Sequence, residues 1–408
     1  MLGAFLEIAQ TEAVTSRFEA LALETLAREI GCDAAFFAVK GAESAPAVLG
    51  IDAESIERAV RGGSEYEREL MPVKRAALAA RGVAVDTDVL GEAVVRRTRY
   101  FREVAAPVKG RHSLMAYLTW RGQPRAALML GRARAGFSPG ELERVESVLS
   151  ELAAARASYG WPFANEELPA PPRTGLWSKF RPKNRVLAQV ATPHGPLLVR
   201  DRDGFREMVA GEGERSLVWT RAKVTEPSRS GWPYVELLHV AAAVAKERRR
   251  ALFVGSGGAV GVRQFARMYP GIAIDLVEHE PVVFELAREW YGLASIPGVT
   301  LHVADGADFV AHASRASWDV MIVDAYSDGF VERFARRSFF ESVRRALTPG
   351  GALALNVIGT IDGNGVIPEV LSAARRELGE PRIVPVLDAA QPYDPHALRN
   401  VVVIVRSE

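Results

Sequence analysis

A glycine string stands between an apolar run and a helical stretch: Ala251-Leu252-Phe253-Val254 leads into Gly255-Ser256-Gly257-Gly258, and a helical pattern continues through Arg263 and Phe265. Glycines let a ligand approach the backbone, and the amides at the helix start can donate to it. A tight turn that holds nothing has the same sequence. Glu278 ends the next apolar run, 23 residues after Gly255, close to the spacing at which a carboxylate accepts from ribose hydroxyls. The alternative for Glu278, and for Glu280 two residues on, is to cap a helix opening near Pro281. His279 between them either lines the same pocket or lies at the surface. Asp305-Gly306-Ala307 offers an acid and amides that can read the amino group and ring nitrogens of adenine, or a helix cap. Asp324 ends a fourth run, at the edge where open α/β sheets place substrates. A carboxylate there can take the proton of an attacking nucleophile. Tyr326 either walls that site or packs in the core. The histidines at 112, 194, 239, 279, 302, 312 and 396 lack HExxH spacing and no serine sits in a nucleophile elbow, so neither a metal site nor hydrolase chemistry is expected.

These residues need a parallel sheet behind them. Strands are read at 251–254, 272–277, 300–303, 320–323, 352–357, 383–387 and 401–405, alternating with helices. That pattern predicts an α/β class I methyltransferase-like Rossmann domain with a seven-stranded, mostly parallel sheet. It occupies 186–408 and opens with a small antiparallel β-element over 186–235.

The first 158 residues read differently. Val14, Phe18, Ala22, Leu26 and Ile30, with Leu21 alongside, predict an amphipathic helix over 12–30 that stops at Gly31. A strand over 34–39 follows, then a hairpin pairing 114–120 with 126–130 through Arg121-Gly122-Gln123-Pro124. Ser138-Pro139-Gly140-Glu141 is a capping box that opens a helix burying Leu142, Val145, Leu149 and Leu152. This α+β part resembles a GAF domain, on Gly31-Cys32-Asp33-Ala34-Ala35-Phe36-Phe37 after the first helix and on the Trp120-Arg121-Gly122 turn ahead of Ala127-Leu128-Met129-Leu130. The resemblance implies a small-ligand-binding or dimerising module; a purely structural dimerisation domain stays open. Proline-rich and basic residues mark 159–185 as a linker.

Composition bounds the rest. A chain of 408 residues calls for two domains, and its net charge of +1 carries no footprint of nucleic acid or of an anionic membrane. Cys32 is the only cysteine, so a disulfide or cysteine-built metal centre within the chain is excluded and a reducing cytoplasm is expected. Met1 to Gln10 lacks the basic start of a signal peptide, and no apolar run approaches the roughly 18 residues of a membrane span.

Residues 186–408 resemble the spermidine synthase family, on Phe253 to Arg263, Leu276 to Ala287, Val303 to Phe309, Asp319 to Ser327, Phe339 to Val357 and Arg399 to Val402, with Pro233-Tyr234-Val235-Glu236 ahead of them. The resemblance implies transfer of an aminopropyl group from decarboxylated S-adenosylmethionine to a small amine, by a homodimer. It implies that Gly255, Ser256, Gly257, Gly258, Glu278, His279, Asp305, Gly306 and Ala307 hold the nucleoside. Asp324 would face the attacking amine, and Tyr234, Glu236, Tyr326 and Asp328 would flank it. Three positions depart from the family pattern: Gly258 replaces an aspartate, Val235 a histidine, and Ser327 the second acid of Asp-x-x-Asp, with Asp328 one residue late. Two other readings therefore accompany the first, an S-adenosylmethionine-dependent methyltransferase on an unknown acceptor and a non-catalytic nucleoside-binding sensor.

Overall fold

The computed structural model describes residues 4–42, 45–80, 82–108, 110–161, 184–192, 195–211, 213, 216–255, 257–326, 332–387 and 394–407. Ser256, Ser327, Asp328 and most of the expected linker lie outside the described residues. The chain divides into two compact units, Met1–Phe163 and Ala164–Glu408.

The N-terminal unit begins with helices α1 (Ala4–Thr11) and α2 (Thr15–Ile30), so the helix expected over 12–30 starts three residues late, at Thr15, and α1 lies ahead of the expected range. Val14 stands between them in extended conformation, its amide donating to Glu12 Oε1 at 2.8 Å, and is exposed, as is Leu21. The rest of the stripe, Phe18, Ala22, Leu26 and Ile30, is buried as its spacing requires. Strand β1 (Ala34–Val39), strand β2 (Ala47–Leu49), helices α3 (Ala53–Arg61) and α4 (Gly63–Ala79), strand β3 (Val83–Val85) and short helices α5 (Asp86–Leu90) and α6 (Glu92–Val95) follow. A π-helical turn, Phe101–Ala105, precedes the hairpin of β4 (His112–Trp120) and β5 (Gln123–Arg132) and helix α7 (Pro139–Ala157). The hairpin turn has positive φ at both Arg121 and Gly122, the geometry that matches strand twist. At the start of α7 the Glu141 carboxylate accepts from the Ser138 amide at 2.7 Å. The sheet runs β2-β1-β5-β4-β3 and is antiparallel throughout. Alternation divides its faces: Leu114, Ala116, Leu118, Leu128 and Leu130 are fully buried, while Met115, Tyr117 and Met129 join a separate cluster with Tyr66, Val73, Tyr100 and Val104.

The C-terminal unit opens with the antiparallel sheet of β6 (Asn184–Thr192), β7 (Gly195–Arg202), β8 (Phe205–Ala210), β9 (Leu217–Lys223) and β10 (Glu226–Ser230). Helices α8 (Pro233–Leu237) and α9 (Val240–Val244) lead to the main sheet. There β11 (Arg250–Val254), α10 (Val260–Met268), β12 (Ala273–Glu278), α11 (Pro281–Tyr291), β13 (Val299–Val303), α12 (Gly306–Ala311) and β14 (Trp318–Val323) alternate. Helix α13 (Arg337–Ala346), β15 (Leu347–Gly359), α14 (Ile367–Glu377), β16 (Arg382–Pro385) and β17 (Arg399–Arg406) complete it. The order is β13-β12-β11-β14-β15-β17-β16, with β17 antiparallel to both its neighbours. This is an α/β fold on a mixed sheet. The order reverses between β11 and β14, which opens a crevice at their carboxyl ends. Gly255 and Asp324 follow those two ends.

Candidate functional site

The glycines are required by the strands they join. Asp324 N–H donates to Val254 O at 2.9 Å, which draws the two strand ends together. A Cβ on Gly255 would lie 2.2 Å from the Asp324 carbonyl oxygen, and Gly255 has φ +90°. Gly257 is held equally tightly, because its Cβ would lie 2.2 Å from Thr220 Oγ1 on β9. Ala259, the residue before α10, takes φ +56° without being glycine, a local strain of the sort found at binding loops.

Around this crevice is a cavity of about 620 Å³, lined by Gly255, Gly257, Glu278, His279, Asp305, Gly306, Tyr234, Tyr326 and Asp324 among others. At one end Glu278 is buried, and its Oε1 accepts from the amides of His279 and Glu280 at 2.9 and 3.2 Å. Glu278 therefore lines the cavity and braces the two residues ahead of α11 without capping that helix. His279 places Nδ1 3.0 Å from the same oxygen with its side chain about half exposed, and that hydrogen bond raises its pKa. Asp305 takes the helix-cap alternative while facing the cavity. Its Oδ1 accepts from Asp308 N at 2.9 Å as the cap of α12, Oδ2 lies 2.8 Å from Arg333 Nη1, and the residue lines the cavity.

At the other end Asp324 is partly buried and faces the cavity. The Asn356 amide donates to its Oδ1 at 2.9 Å and the Tyr234 hydroxyl is hydrogen-bonded to the same carboxylate. Burial pushes its pKa up to about 6 against these two hydrogen bonds. Tyr234 stacks on Trp232 at 5.9 Å, and burial raises its own ionisation well above the usual value, with Asp324 adding to the effect. Burial raises Tyr326 in the same direction. The arrangement sets a carboxylate of raised pKa beside Tyr234, Tyr326 and Trp232 in the cavity wall.

Three expected site residues stand elsewhere. Glu236 does not line the cavity; its Oε1 accepts from Gln264 Nε2 at 2.8 Å, because it lies on the opposite side of the short helix α8 from the cavity-lining Tyr234. Ala307 packs into the hydrophobic core beneath α12 instead of lining the cavity. Gly258 N–H is committed to Thr220 Oγ1 at 2.7 Å, and a Cβ there would lie 2.6 Å from Tyr291 Cδ1 and 2.7 Å from Thr220 Cγ2. The space for an acid at 258 is filled. Gly258→Asp is accordingly expected to destabilise the protein by about 1–3 kcal/mol through overpacking, measured by urea unfolding. Asn356 was not singled out from sequence, although a lone amide in Ala352-Leu353-Ala354-Leu355-Asn356-Val357 is a legible signal. Among the described residues no group of three or more His, Cys, Asp or Glu is gathered to hold a metal ion.

Residues 234–358 match the spermine/spermidine synthase domain. A probable polyamine aminopropyl transferase of Bifidobacterium longum is 36% identical over 141 residues, covering 34% of this chain and 31% of that protein. Putrescine N-methyltransferase 1 of Nicotiana tabacum is 33% identical over 138 residues, covering 32% of this chain and 36% of that protein. The chain thus spans about a third of the length of these curated relatives. A probable spermidine synthase structure from Corynebacterium glutamicum aligns over 55% of this chain and 81% of its own, with 18% identity and a TM-score of 0.46.

Proposed function

We propose that the C-terminal unit is an S-adenosyl-nucleoside-dependent transferase that moves an aminopropyl group from decarboxylated S-adenosylmethionine to a small amine. The observation that carries this reading is the partly buried Asp324 carboxylate, hydrogen-bonded by Asn356 and Tyr234 in the cavity that Glu278 and Asp305 also line. Support comes from the matched domain and from the relative described as a polyamine aminopropyl transferase. In this reading Gly255, Ser256, Gly257, Glu278, His279, Asp305 and Gly306 hold the nucleoside, and Tyr234, Tyr326 and Asp328 flank the acceptor.

The chemistry follows from the protonation states. An alkylamine is cationic at neutral pH and has no free lone pair. Asp324, ionised above about pH 6, accepts the proton and holds the nitrogen in line. The nitrogen then forms a bond to the carbon beside the sulfonium as the carbon–sulfur bond breaks, its electron pair passing to sulfur. The leaving group is a neutral thioether and needs no acid. Tyr234 and Trp232 bound the path from which water must be excluded.

The filled space at Gly258 favours a second reading, methyl transfer from S-adenosylmethionine, and a putrescine N-methyltransferase is among the relatives. Incubating the full chain and a diamine with each co-substrate, then identifying the nucleoside product by mass spectrometry, separates the two. Methylthioadenosine marks aminopropyl transfer, S-adenosylhomocysteine marks methyl transfer, and neither product refutes both. Glu278→Gln is expected to weaken methylthioadenosine binding about 10–100-fold, as loss of a charged hydrogen-bond acceptor does; an unchanged Kd in equilibrium dialysis would remove Glu278 from the site. The N-terminal unit is read as a GAF-like ligand-binding or dimerising module and the protein as a homodimer, supported by the sequence pattern described above.

A further inference from the structure

A second cavity, of about 300 Å³, lies inside the N-terminal unit. Its floor is the sheet face that strand alternation turns away from the main core. Met115 and Met129 are cross-strand partners there, Phe36 pairs with Met129 on the other side, and Tyr117 follows two residues along β4. Tyr66 and Tyr100 enter from the helical side, their rings 6.1 Å apart and edge-on. The cavity is open on one side, so a ligand has a way in.

Its polar groups narrow what it can hold. Glu67 and Lys74 neutralise one another at 2.9 Å, at a partly exposed position. Ser55 is bonded to Asp52, the Tyr66 hydroxyl donates to Glu103 at 2.6 Å, and the Tyr100 hydroxyl is directed at the Met129 sulfur. The hydroxyl of half-buried Tyr117 has no hydrogen-bond partner among the described residues. Every charge on the lining therefore has a counter-charge, and the Tyr117 hydroxyl is the one lining hydroxyl not bonded to a neighbouring side chain among the described residues. An ion placed here would lose its hydration with nothing to replace it. An apolar cavity of about 150 Å³ accepts benzene, and twice that volume suits two fused rings. Aromatic walls and two thioethers favour ring edges and faces over an alkyl chain, and a rigid bicycle loses less conformational freedom on binding than a chain does.

We infer that this cavity binds a neutral, two-ring-sized aromatic molecule whose single hydroxyl or ring N–H meets Tyr117. The site belongs to the N-terminal unit alone, so its failure leaves the transferase reading untouched, and the reverse. The test is calorimetric titration of the full chain with 2-naphthol, which is neutral at pH 7.5, and with decanoate as the charged, flexible comparison. 2-Naphthol is expected to saturate one site, and Tyr117→Phe to weaken it about fivefold, the value of one ordinary hydrogen bond. Ala59→Trp, which fills the cavity, is expected to abolish binding with near-UV circular dichroism unchanged. As a readout independent of any variant, the ¹³C-methyl resonances of Met115 and Met129 in the unaltered protein should shift with the same Kd. Absence of saturable binding, stationary methionine resonances, or tighter binding of decanoate would each overturn the assignment.

Discussion

Asp324→Asn is expected to lower turnover by about 10²–10⁴-fold, the range for removing a positioned proton acceptor, without loss of stability at pH 7.5. The second half of this expectation separates chemistry from folding. Burial raises the pKa of Asp324 to about 6, so the folded protein binds that proton more tightly than the unfolded chain does. The stabilisation is full below the ordinary aspartate pKa and is lost as pH rises through about 6. At neutral pH the ionised carboxylate costs the fold on the order of 3 kcal/mol. An asparagine keeps the shape and one acceptor oxygen for Asn356 or Tyr234 while removing that cost. Thermal unfolding should therefore show a Tm equal to or above that of the unaltered protein. The same pKa sets the acid limb of the rate profile. kcat/KM should fall tenfold per pH unit below about 6 and level off above it, and a flat profile between pH 5 and 8 would show that Asp324 does not act as the base.

Gly255→Ala carries the second large effect. The added methyl carbon would sit 2.2 Å from the Asp324 carbonyl oxygen with φ at +90°. The obstacle is backbone, so no side chain can swing away. Relief requires separating β11 from β14, which breaks the Asp324 N–H to Val254 O bond and moves the Asp324 carboxylate with it. A loss of about 3 kcal/mol or more in urea unfolding is expected, from clash and left-handed strain together. Methylthioadenosine binding should be lost even at concentrations where the variant stays folded. A variant of unchanged stability would contradict the placement of these two strand ends.

How far the sequence revealed this site depends on the distance over which each residue acts. Gly255, Glu278, Asp305 and Asp324 follow strand ends, and apolar runs mark those ends locally, so the parallel sheet and its acidic carboxyl edge were legible. The helix cap made by Asp305 was also visible because it depends on adjacent residues, whereas Glu278 spends its carboxylate on the two amides ahead of α11. Partners brought from afar were not. Thr220 and Tyr291 close the space over Gly258 from β9 and the end of α11, and no local pattern records that meeting. Glu236 was misplaced because a family segment was carried over without the facing of α8, where Gln264 takes the carboxylate. In the N-terminal unit the four-residue spacing runs back to Val14, which stands extended ahead of α2, since periodicity alone does not mark where a helix starts.

The central claim is that Asp324 takes the proton of an amine that attacks an S-adenosyl nucleoside bound at the glycine loop. A single-turnover experiment tests it most directly: the full chain is loaded with decarboxylated S-adenosylmethionine, mixed with putrescine at pH 7.5, and methylthioadenosine is quantified over time for the unaltered protein and for Asp324→Asn. The account predicts stoichiometric methylthioadenosine from the unaltered protein and at least a hundredfold slower release from the variant; equal rates in the two proteins, or no methylthioadenosine with putrescine or any other amine, would contradict it.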